Sequence, residues 1–417
     1  MKYDICVLGL GYIGLPTASI FATKGKRVLG VDVVSRVVET ISAGKIHIEE
    51  PDLDILVRAA VGSGNLCAAA QPEPALTYII AVPTPFHKNT GQAKSPDLSF
   101  VEQATRSLAP IVPAGALVIL ESTSPVGTTE KMRDWLLAEL QQRRPAESVA
   151  LGASLRFAHC PERILPGQML KELVSNDRIA GGLTPDASLA AKELYRTFCS
   201  GEIFLTDART AELAKLTENS FRDVNIAFAN ELSLICDKLG IDVWELIRLA
   251  NRHPRVKILQ PGPGVGGHCI AVDPWFIVDA APEQARLIRT AREVNDAKPA
   301  WVVAQILQAI AKVSNPVIAC LGLAFKANVD DLRESPSVDI VAELAHQVNG
   351  EILVVEPHVK ALPAILAGHK NIKLTDLDDA FAAANIVVLL VNHQAFGGVD
   401  RKKLTGKVVI DTRGFWK

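Results

Sequence analysis

No two of the seven cysteines stand as Cys-x-x-Cys, neither sign of charge dominates, and no apolar run approaches the length of a membrane span. An odd set of scattered cysteines, at 6, 67, 160, 199, 236, 269 and 320, argues against a disulfide framework and against a zinc cluster. No metal is expected, and a reducing cytoplasm fits best. Lys and Arg total 44 against 46 Asp and Glu, a net charge of −2, so neither nucleic acid nor a membrane is expected as partner. Any basic site must be local. Residues 5–22 are apolar enough to imitate a signal-peptide core, but Asp4 precedes them and Gly9, Gly11 and Gly14 interrupt them, so no leader is expected. What remains is a chain of 417 residues, 48% hydrophobic, with ample material for two or three conventionally packed domains.

The chain opens with a short buried-strand pattern, Tyr3 to Leu8, that runs straight into Gly9-Leu10-Gly11-Tyr12-Ile13-Gly14 and then a helix-compatible stretch through Ala22. In G-x-G-x-x-G the first glycine allows the tight turn, the second lets a pyrophosphate approach the backbone at the helix N-terminus, and the third lets helix and strand pack closely. A second strand, Arg27 to Asp32, ends in an acid 18 residues after Gly14. A carboxylate there accepts from both ribose hydroxyls of NAD and repels the 2′-phosphate of NADP, an exclusion that nearby Arg36 weakens slightly.

Further strands are expected at Tyr78 to Val82, Leu117 to Leu120 and Leu155 to His159, with helical spacers, as in a parallel doubly wound sheet. Each ends in a polar or turn cluster: Pro83-Thr84-Pro85, Glu121-Ser122-Thr123-Ser124-Pro125, and Cys160-Pro161-Glu162-Arg163. Ligands of open α/β sheets bind outside the carboxyl ends of the strands, so Thr84, Thr123 and Glu162 are candidates to converge on one crevice. Ordinary turn or cap chemistry is the alternative for each taken singly.

From about Asp207 to Leu239 the apolar positions fall at three- and four-residue steps, which predicts one long helix stopped by Gly240. Lys215 and Asn219, at i and i+4, share a face suited to gripping or deprotonating a substrate hydroxyl, although a solvated helix face is the ordinary reading. Asp242 caps a further helix. The loop from Pro261 to Pro274 is dense in glycine and carries Cys269 and Asp273, a spacing that can set a carboxylate beside a thiol. A nicotinamide site together with a placed thiol points to oxidation through a thioester; the alternative is a buried, inert cysteine. The last third returns to α/β style without a second G-x-G-x-x-G, with strands expected at Val317 to Leu323, Glu351 to Val355, Ile386 to Val391 and Val408 to Asp411. Ser335 and Pro336 mark a helix start, and Lys326 and Arg333 flank it, an arrangement that favours phosphate groups. The expected fold is α/β: two Rossmann-like doubly wound parallel-sheet domains, 1–206 and 306–417, joined by a helical connector and dimerisation unit over 207–305.

Taken together, Gly9-x-Gly11-Tyr12-Ile13-Gly14, Pro83-Thr84-Pro85, Ser122-Thr123-Ser124-Pro125, Pro161-Glu162-Arg163, Lys215-Leu216-Thr217-Glu218-Asn219, Gly266-Gly267-His268-Cys269 and Phe325-Lys326 to Arg333-Glu334-Ser335-Pro336 occur in one order, and over its full length the chain resembles the UDP-glucose/GDP-mannose dehydrogenase family. The resemblance implies an NAD-dependent, four-electron oxidation at C6 of a UDP-sugar. Lys215, Asn219, Thr123 and an Asp273-linked water would handle the hydroxyl proton, Cys269 would form the thiohemiacetal and thioester, and Glu162 would activate the hydrolytic water. It also implies UDP binding through Phe325, Lys326 and Arg333, substrate contacts from Arg163, Gly266 and His268, and a homodimer in which Arg255 reaches the neighbouring subunit's substrate. The blocks 217–236 and 249–276 look most like the branch that oxidises UDP-N-acetyl-D-mannosamine for surface polysaccharide such as enterobacterial common antigen, with UDP-N-acetylglucosamine as runner-up and UDP-glucose further back. One departure is that Pro166 stands where UDP-glucose-oxidising relatives carry a second acid, so hydrolysis cannot use a carboxylate pair. His268 before the cysteine points the same way, or simply packs the loop. A two-electron hydroxyacid dehydrogenase would leave Cys269 and the last domain without a role, and a non-enzymatic NAD-responsive protein would need neither Lys215 nor Cys269.

Overall fold

The computed structural model describes residues 2–87, 94–164, 167–267, 269–311 and 313–416, so His268 and Pro166 lie outside the described residues. The chain divides into two compact units, Met1–Thr217 and Glu218–Lys417.

In the first unit the strands are β1 Tyr3–Leu8, β2 Val28–Val31, β3 Leu66–Ala69, β4 Ala75–Ile80, β5 Leu117–Leu120, β6 Arg156–His159, β7 Arg178–Gly182 and β8 Ile203–Asp207. They form one sheet in the order β3-β2-β1-β4-β5-β6-β7-β8. Alternate residues of β1 feed opposite layers, Ile5 and Val7 into one core and Cys6 and Leu8 into the other. Burial on both faces is why these strands read as near-continuous apolar runs. The register sets Leu8 level with Val31 and Ile80, Ile80 with Leu120, and Leu120 with His159. Gly9, Ala81, Glu121 and Cys160 therefore leave the sheet along one edge. The strand order reverses between β1 and β4, which opens the ligand crevice at that edge.

The second unit carries β9 Val317–Leu321, β10 Glu351–Val355, β11 Ile372–Leu374, β12 Ile386–Leu389 and β13 Val408–Asp411, all parallel, in the order β11-β10-β9-β12-β13. Its order reverses between β9 and β12. Ser335 caps the helix Pro336–Gln347 with its hydroxyl, and Pro336 opens it, as expected.

Two doubly wound sheets match the expected class, with differences in detail. The pairing of β6 with β7 is antiparallel, a mixed edge of a kind common on mostly parallel sheets. The strands β3, β7, β8 and β11 have no strong sequence pattern: β11 spans three residues, β7 ends in two glycines, and β8 leaves Phe204 and Leu205 exposed.

The long helix is present as Ala208–Leu239. Asp207 closes β8 and also caps the helix, its carboxylate accepting from the Thr210 amide at 2.9 Å. The apolar positions on this helix do not all face inward: Leu216 and Ala227 are buried, but Leu213, Phe228, Ile235 and Leu239 are exposed. Ser220, Asp223 and Asn230 share the buried stripe with Leu216 and Ala227. Polar side chains occupy inward positions there, Asp223 and Asn230 with hydrogen-bond partners, so the apolar periodicity found the helix without identifying its inner face.

Candidate active site

The nucleotide loop follows from β1. Gly9 has φ 92°, a conformation L side chains rarely adopt, and a Cβ there would meet the Ala81 carbonyl at 2.5 Å. A Cβ on Gly14 would lie 1.8 Å from the Gly9 carbonyl oxygen, because the helix Gly14–Thr23 begins directly against the turn. Gly11 has nothing within 4 Å of its Cβ position. Two glycines are thus required by packing and the third faces open space at a helix N-terminus, where a pyrophosphate fits. Tyr12 and Ile13 are half-buried between them. Asp32 Oδ2 accepts from the Leu10 amide at 3.0 Å and Oδ1 from the Val34 amide at 2.9 Å. The acid thereby ties the end of β2 to the glycine turn. Arg36 is exposed on the helix Ser35–Ser42.

Beyond β4 and β5 the two turn clusters are joined. The Thr84 hydroxyl donates to the Thr123 carbonyl at 2.7 Å, and the Ser122 hydroxyl donates to the Val82 carbonyl at 2.7 Å. Thr84 and Thr123 therefore come together as expected, through backbone anchoring rather than through a shared ligand alone. After β6, Glu162 is buried. Its Oε2 accepts from Arg178 at 2.6 Å and its Oε1 from the Arg163 amide at 2.7 Å. Arg178 also lies 3.8 Å from Glu121, whose Oε1 bonds the Tyr195 hydroxyl at 3.0 Å. Burial pushes the Glu121 carboxyl well above its ordinary range, against the pull of Arg178. Sequence reasoning missed Arg178, Glu121 and Tyr195 as a group. Glu121 sat visibly in a turn cluster, but nothing local marks Arg178, at the start of β7, as its partner. Arg163 is half-buried and donates to the Asp177 carbonyl at 3.3 Å.

Lys215 is half-buried on the long helix. Glu212, three residues earlier, accepts from the Gly127 amide at 2.6 Å and from the Thr129 amide at 2.8 Å, which fixes this part of the helix to the start of Thr128–Arg143. Acid at a helix N-terminus is favourable, and Glu212 is a further residue that pattern reading overlooked. His159, at the end of β6, is fully buried, and desolvation with the nearby Lys215 charge lowers its pKa to about 3, so it stays neutral.

In the second unit Asn219 Nδ2 donates to Asp273 Oδ2 at 2.5 Å. Asp273 is buried at the start of the helix Asp273–Ala280. The Val272 and Asp273 amides both donate to the Cys269 carbonyl, at 3.0 and 2.9 Å. Cys269 itself is exposed, whereas Cys6, Cys160, Cys199, Cys236 and Cys320 are buried. The glycine density of its loop reflects close approach. A Cβ on Gly266 would meet the Glu334 carbonyl at 2.4 Å, and one on Gly267, at φ 83°, the Phe325 ring at 3.0 Å. The thiol loop and the Phe325 to Pro336 loop are therefore packed together. In the latter, Lys326 is half-buried and Arg333 forks onto Asp331, with Nη2 at 2.6 Å from Oδ2 and Nε at 2.9 Å from Oδ1. Arg255 is exposed, its amide donating to His253 Nδ1 at 3.3 Å.

A dinucleotide turn, a second doubly wound unit with a loop carrying Lys326 and Arg333, and an exposed thiol on a loop packed against it define a dehydrogenase of a nucleotide-linked substrate. Family models agree: residues 3–199 match the NAD binding domain, 209–297 the central domain and 319–417 the UDP binding domain of the UDP-glucose/GDP-mannose dehydrogenase family. The chain belongs to that family and is an NAD-dependent nucleotide-sugar dehydrogenase. It is 60% identical to an NDP-N-acetyl-D-galactosaminuronic acid dehydrogenase of Ralstonia nicotianae, over 99% of this chain and 96% of the relative. It is 55% identical to the UDP-N-acetyl-D-mannosamine dehydrogenase of Escherichia coli, over 99% of each. The solved UDP-D-ManNAc dehydrogenase of Pyrococcus horikoshii superposes with a TM-score of 0.88 at 40% identity, over 99% of this chain and 96% of that one. Among the described residues no helix is long and apolar enough to cross a membrane, and no cluster of His, Cys, Asp and Glu is arranged to hold a metal.

Proposed function

We propose that the protein oxidises C6 of UDP-N-acetyl-D-mannosamine to the carboxylate of UDP-N-acetyl-D-mannosaminuronate, and that Cys269 carries the sugar between two oxidations. The observation that supports this most is the Cys269 turn: an exposed thiol whose carbonyl is held by the Asp273 amide, with the Asp273 carboxylate bonded to Asn219. NAD, when bound, accepts one hydride, so two molecules bound in turn would accept the two. Lys215, Asn219 and Thr123, with a water on Asp273, take the C6 hydroxyl proton and steady the oxygen as the aldehyde forms. The Cys269 thiolate adds to the aldehyde carbon, and loss of the second hydride leaves a thioester. Water activated by Glu162 attacks that carbonyl, the C–S bond breaks, and the thiolate returns with the carboxylate released. Glu162 works without a second acid at position 166 and with Arg178 on its Oε2.

In this reading residues 1–206 hold NAD, with Gly9, Gly11, Tyr12, Ile13, Gly14, Asp32, Arg36, Thr84 and Thr123 around it. Residues 207–305 connect and dimerise, and 306–417 hold the UDP through Phe325, Lys326 and Arg333. Gly266, His268 and Arg163 complete the sugar contacts, and the product serves a surface polysaccharide of the enterobacterial common antigen type made from the cytoplasm. Lys326→Ala and Arg333→Ala are each expected to weaken UDP binding roughly 10- to 100-fold, the loss of one charge-assisted contact. Calorimetry with UDP reads this directly, and wild-type affinity in both variants would remove the loop from the nucleotide site.

The homodimer rests on the exposed apolar residues Phe221, Phe228, Ile235 and Leu239, which recur along the long helix at steps of seven and four. Arg255 then reaches the partner's substrate. Sedimentation of the pure protein at the mass of one chain would refute this arrangement.

The choice of sugar is supported by the 55% identity to the Escherichia coli enzyme and the similarity to the Pyrococcus horikoshii structure. A second reading, an NDP-N-acetyl-D-galactosamine, is favoured by the 60% identity to the Ralstonia nicotianae protein. Pure enzyme with NAD is to be offered the UDP forms of N-acetylmannosamine, N-acetylgalactosamine, N-acetylglucosamine and glucose, with NADH and the acid product followed. The expected order puts N-acetylmannosamine first, since a site bonded to one orientation of the N-acetyl group leaves polar groups unpaired with an epimer. A higher kcat/KM for another sugar overturns the assignment and leaves the chemistry intact.

A further inference from the structure

The loop that carries Cys269 contains Gly262, Gly264, Gly266 and Gly267, and such a chain loses more conformational freedom on ordering than any other. Something must hold it if the thiol is to meet a carbon at the right distance. Its packing against Phe325 and Glu334 fixes the middle. Its two ends are held from the opposite side by polar side chains of the helices Ala208–Leu239 and Arg286–Ile310. At one end the Gly262 amide donates to Asn230 Oδ1 at 2.9 Å. Asn230 Nδ2 donates to Asn295 Oδ1 at 2.8 Å, and Asn295 Nδ2 donates to Asp223 Oδ1 at 2.8 Å and to the Asp223 carbonyl at 3.1 Å. Asp223 Oδ1 also accepts from Arg292 Nη1 at 2.6 Å, and that same nitrogen reaches the Ile270 carbonyl at 3.5 Å. Ile270 is the residue after Cys269. The second Arg292 nitrogen donates to Asp296 at 2.5 Å, which keeps the guanidinium plane in place.

None of these four side chains is more than 1% exposed. A buried ion pair is weak evidence for stability, since apolar residues of the same volume serve as well or better. A connected buried network does give rigidity, because each bond in a low-dielectric interior is strong and each missing one costs heavily. Here that rigidity is delivered to two backbone groups, and both belong to the loop of the thiol.

We propose that Asp223, Asn230, Arg292 and Asn295 are positioning residues for the nucleophile, closing a buried hydrogen-bond circuit from Gly262 to Ile270 that fixes the two ends of the loop bearing Cys269. This rests on the reading of Cys269 as the group that carries the sugar. None of the four is among the residues assigned above to NAD or to UDP, so their loss should act on the steps that need sulfur in register and spare the rest.

Two variants test it. Asn230→Ala removes the clamp on Gly262, and Arg292→Lys keeps a charge for Asp223 while losing the reach to Ile270. Each purified full-length variant is measured for melting temperature, for UDP and NAD affinity, for NADH released in a single turnover, and for the rate at which iodoacetamide alkylates Cys269 relative to Cys67, the other exposed cysteine. The expected result is unchanged UDP and NAD affinity, a first hydride step near the wild-type rate, a roughly 10- to 100-fold slower second NADH, and a changed ratio of Cys269 to Cys67 alkylation across pH. Wild-type uronate formation in both folded variants overturns the proposal. So does a loss of ligand affinity and of both hydride steps in proportion to the fall in melting temperature, which is what a purely structural network would give. Acid formation by Cys269→Ala would instead sink the thioester reading itself, whereas an inactive Cys269→Ala beside a normal Asn230→Ala and Arg292→Lys would sink the circuit alone.

Discussion

Cys269→Ala is expected to form no detectable uronate, a fall of at least about 10³-fold, while its melting temperature and its affinity for UDP and NAD stay at wild-type values. The side chain is exposed, so replacing sulfur by hydrogen removes almost no packing. Without sulfur the aldehyde cannot form the thiohemiacetal from which the second hydride leaves on the way to the thioester. Wild-type enzyme should therefore release two NADH for each acid, and the variant should stop at the aldehyde or run slowly backwards from it. Stoichiometry by absorbance, with product identification by mass spectrometry, decides the matter: one NADH per acid, or an active alanine variant, leaves the thioester mechanism without support.

The second large effect belongs to the glycine turn. Gly14→Ala places a methyl group 1.8 Å from the Gly9 carbonyl oxygen, a backbone atom that cannot rotate away. Other dinucleotide folds accept alanine at the third position of this fingerprint. Here the helix starts too close for that. Overpacking against backbone should destabilise the first unit by roughly 3 kcal/mol, lowering its melting temperature by about 6–12 °C, and NAD binding should be lost with the turn. Gly11→Ala separates the two effects, because its Cβ meets no protein atom within 4 Å. It should melt with the wild type yet bind NAD weakly, since the methyl group stands where the pyrophosphate approaches. Differential scanning calorimetry beside NAD titration of both variants checks the pair. A Gly14→Ala protein that melts and binds as wild type would mean that the helix shifts freely, and a Gly11→Ala protein with full NAD affinity would place the cofactor elsewhere.

Much of the architecture was legible because it rests on local signals. A strand buried on both faces, glycines at fixed offsets, an acid at the end of β2, the Asp242 and Ser335 caps and the long helical period are all statements about neighbours in sequence, and the structure shows each of them. The joining of Thr84 to Thr123 was legible at one remove, since strands level at their carboxyl ends bring successive turns together. Three of the four edge strands were poorly legible: β3, β8 and β11 are short or half-exposed, so burial imposes little pattern on them, whereas the fourth, β13, was read at its observed bounds.

The residue types and their order determined the cofactor turn, the two doubly wound units and the presence of a thiol, a lysine and an amide suited to oxidation, because backbone conformation and strand burial constrain neighbouring side chains directly. Tertiary structure alone decided what those groups are held by. Arg178 meets Glu162 across 16 residues, Glu212 reaches Gly127 across 85, and Asn230 reaches Gly262 across 32. Only the fold could decide that the inward stripe of the long helix would carry Asp223 and Asn230 while Phe228 and Ile235 faced outward. Buried Asp223 and Asn230 each meet partners that arrive from elsewhere in the chain, and the arrival of a partner is a property of the folded chain that no local pattern encodes.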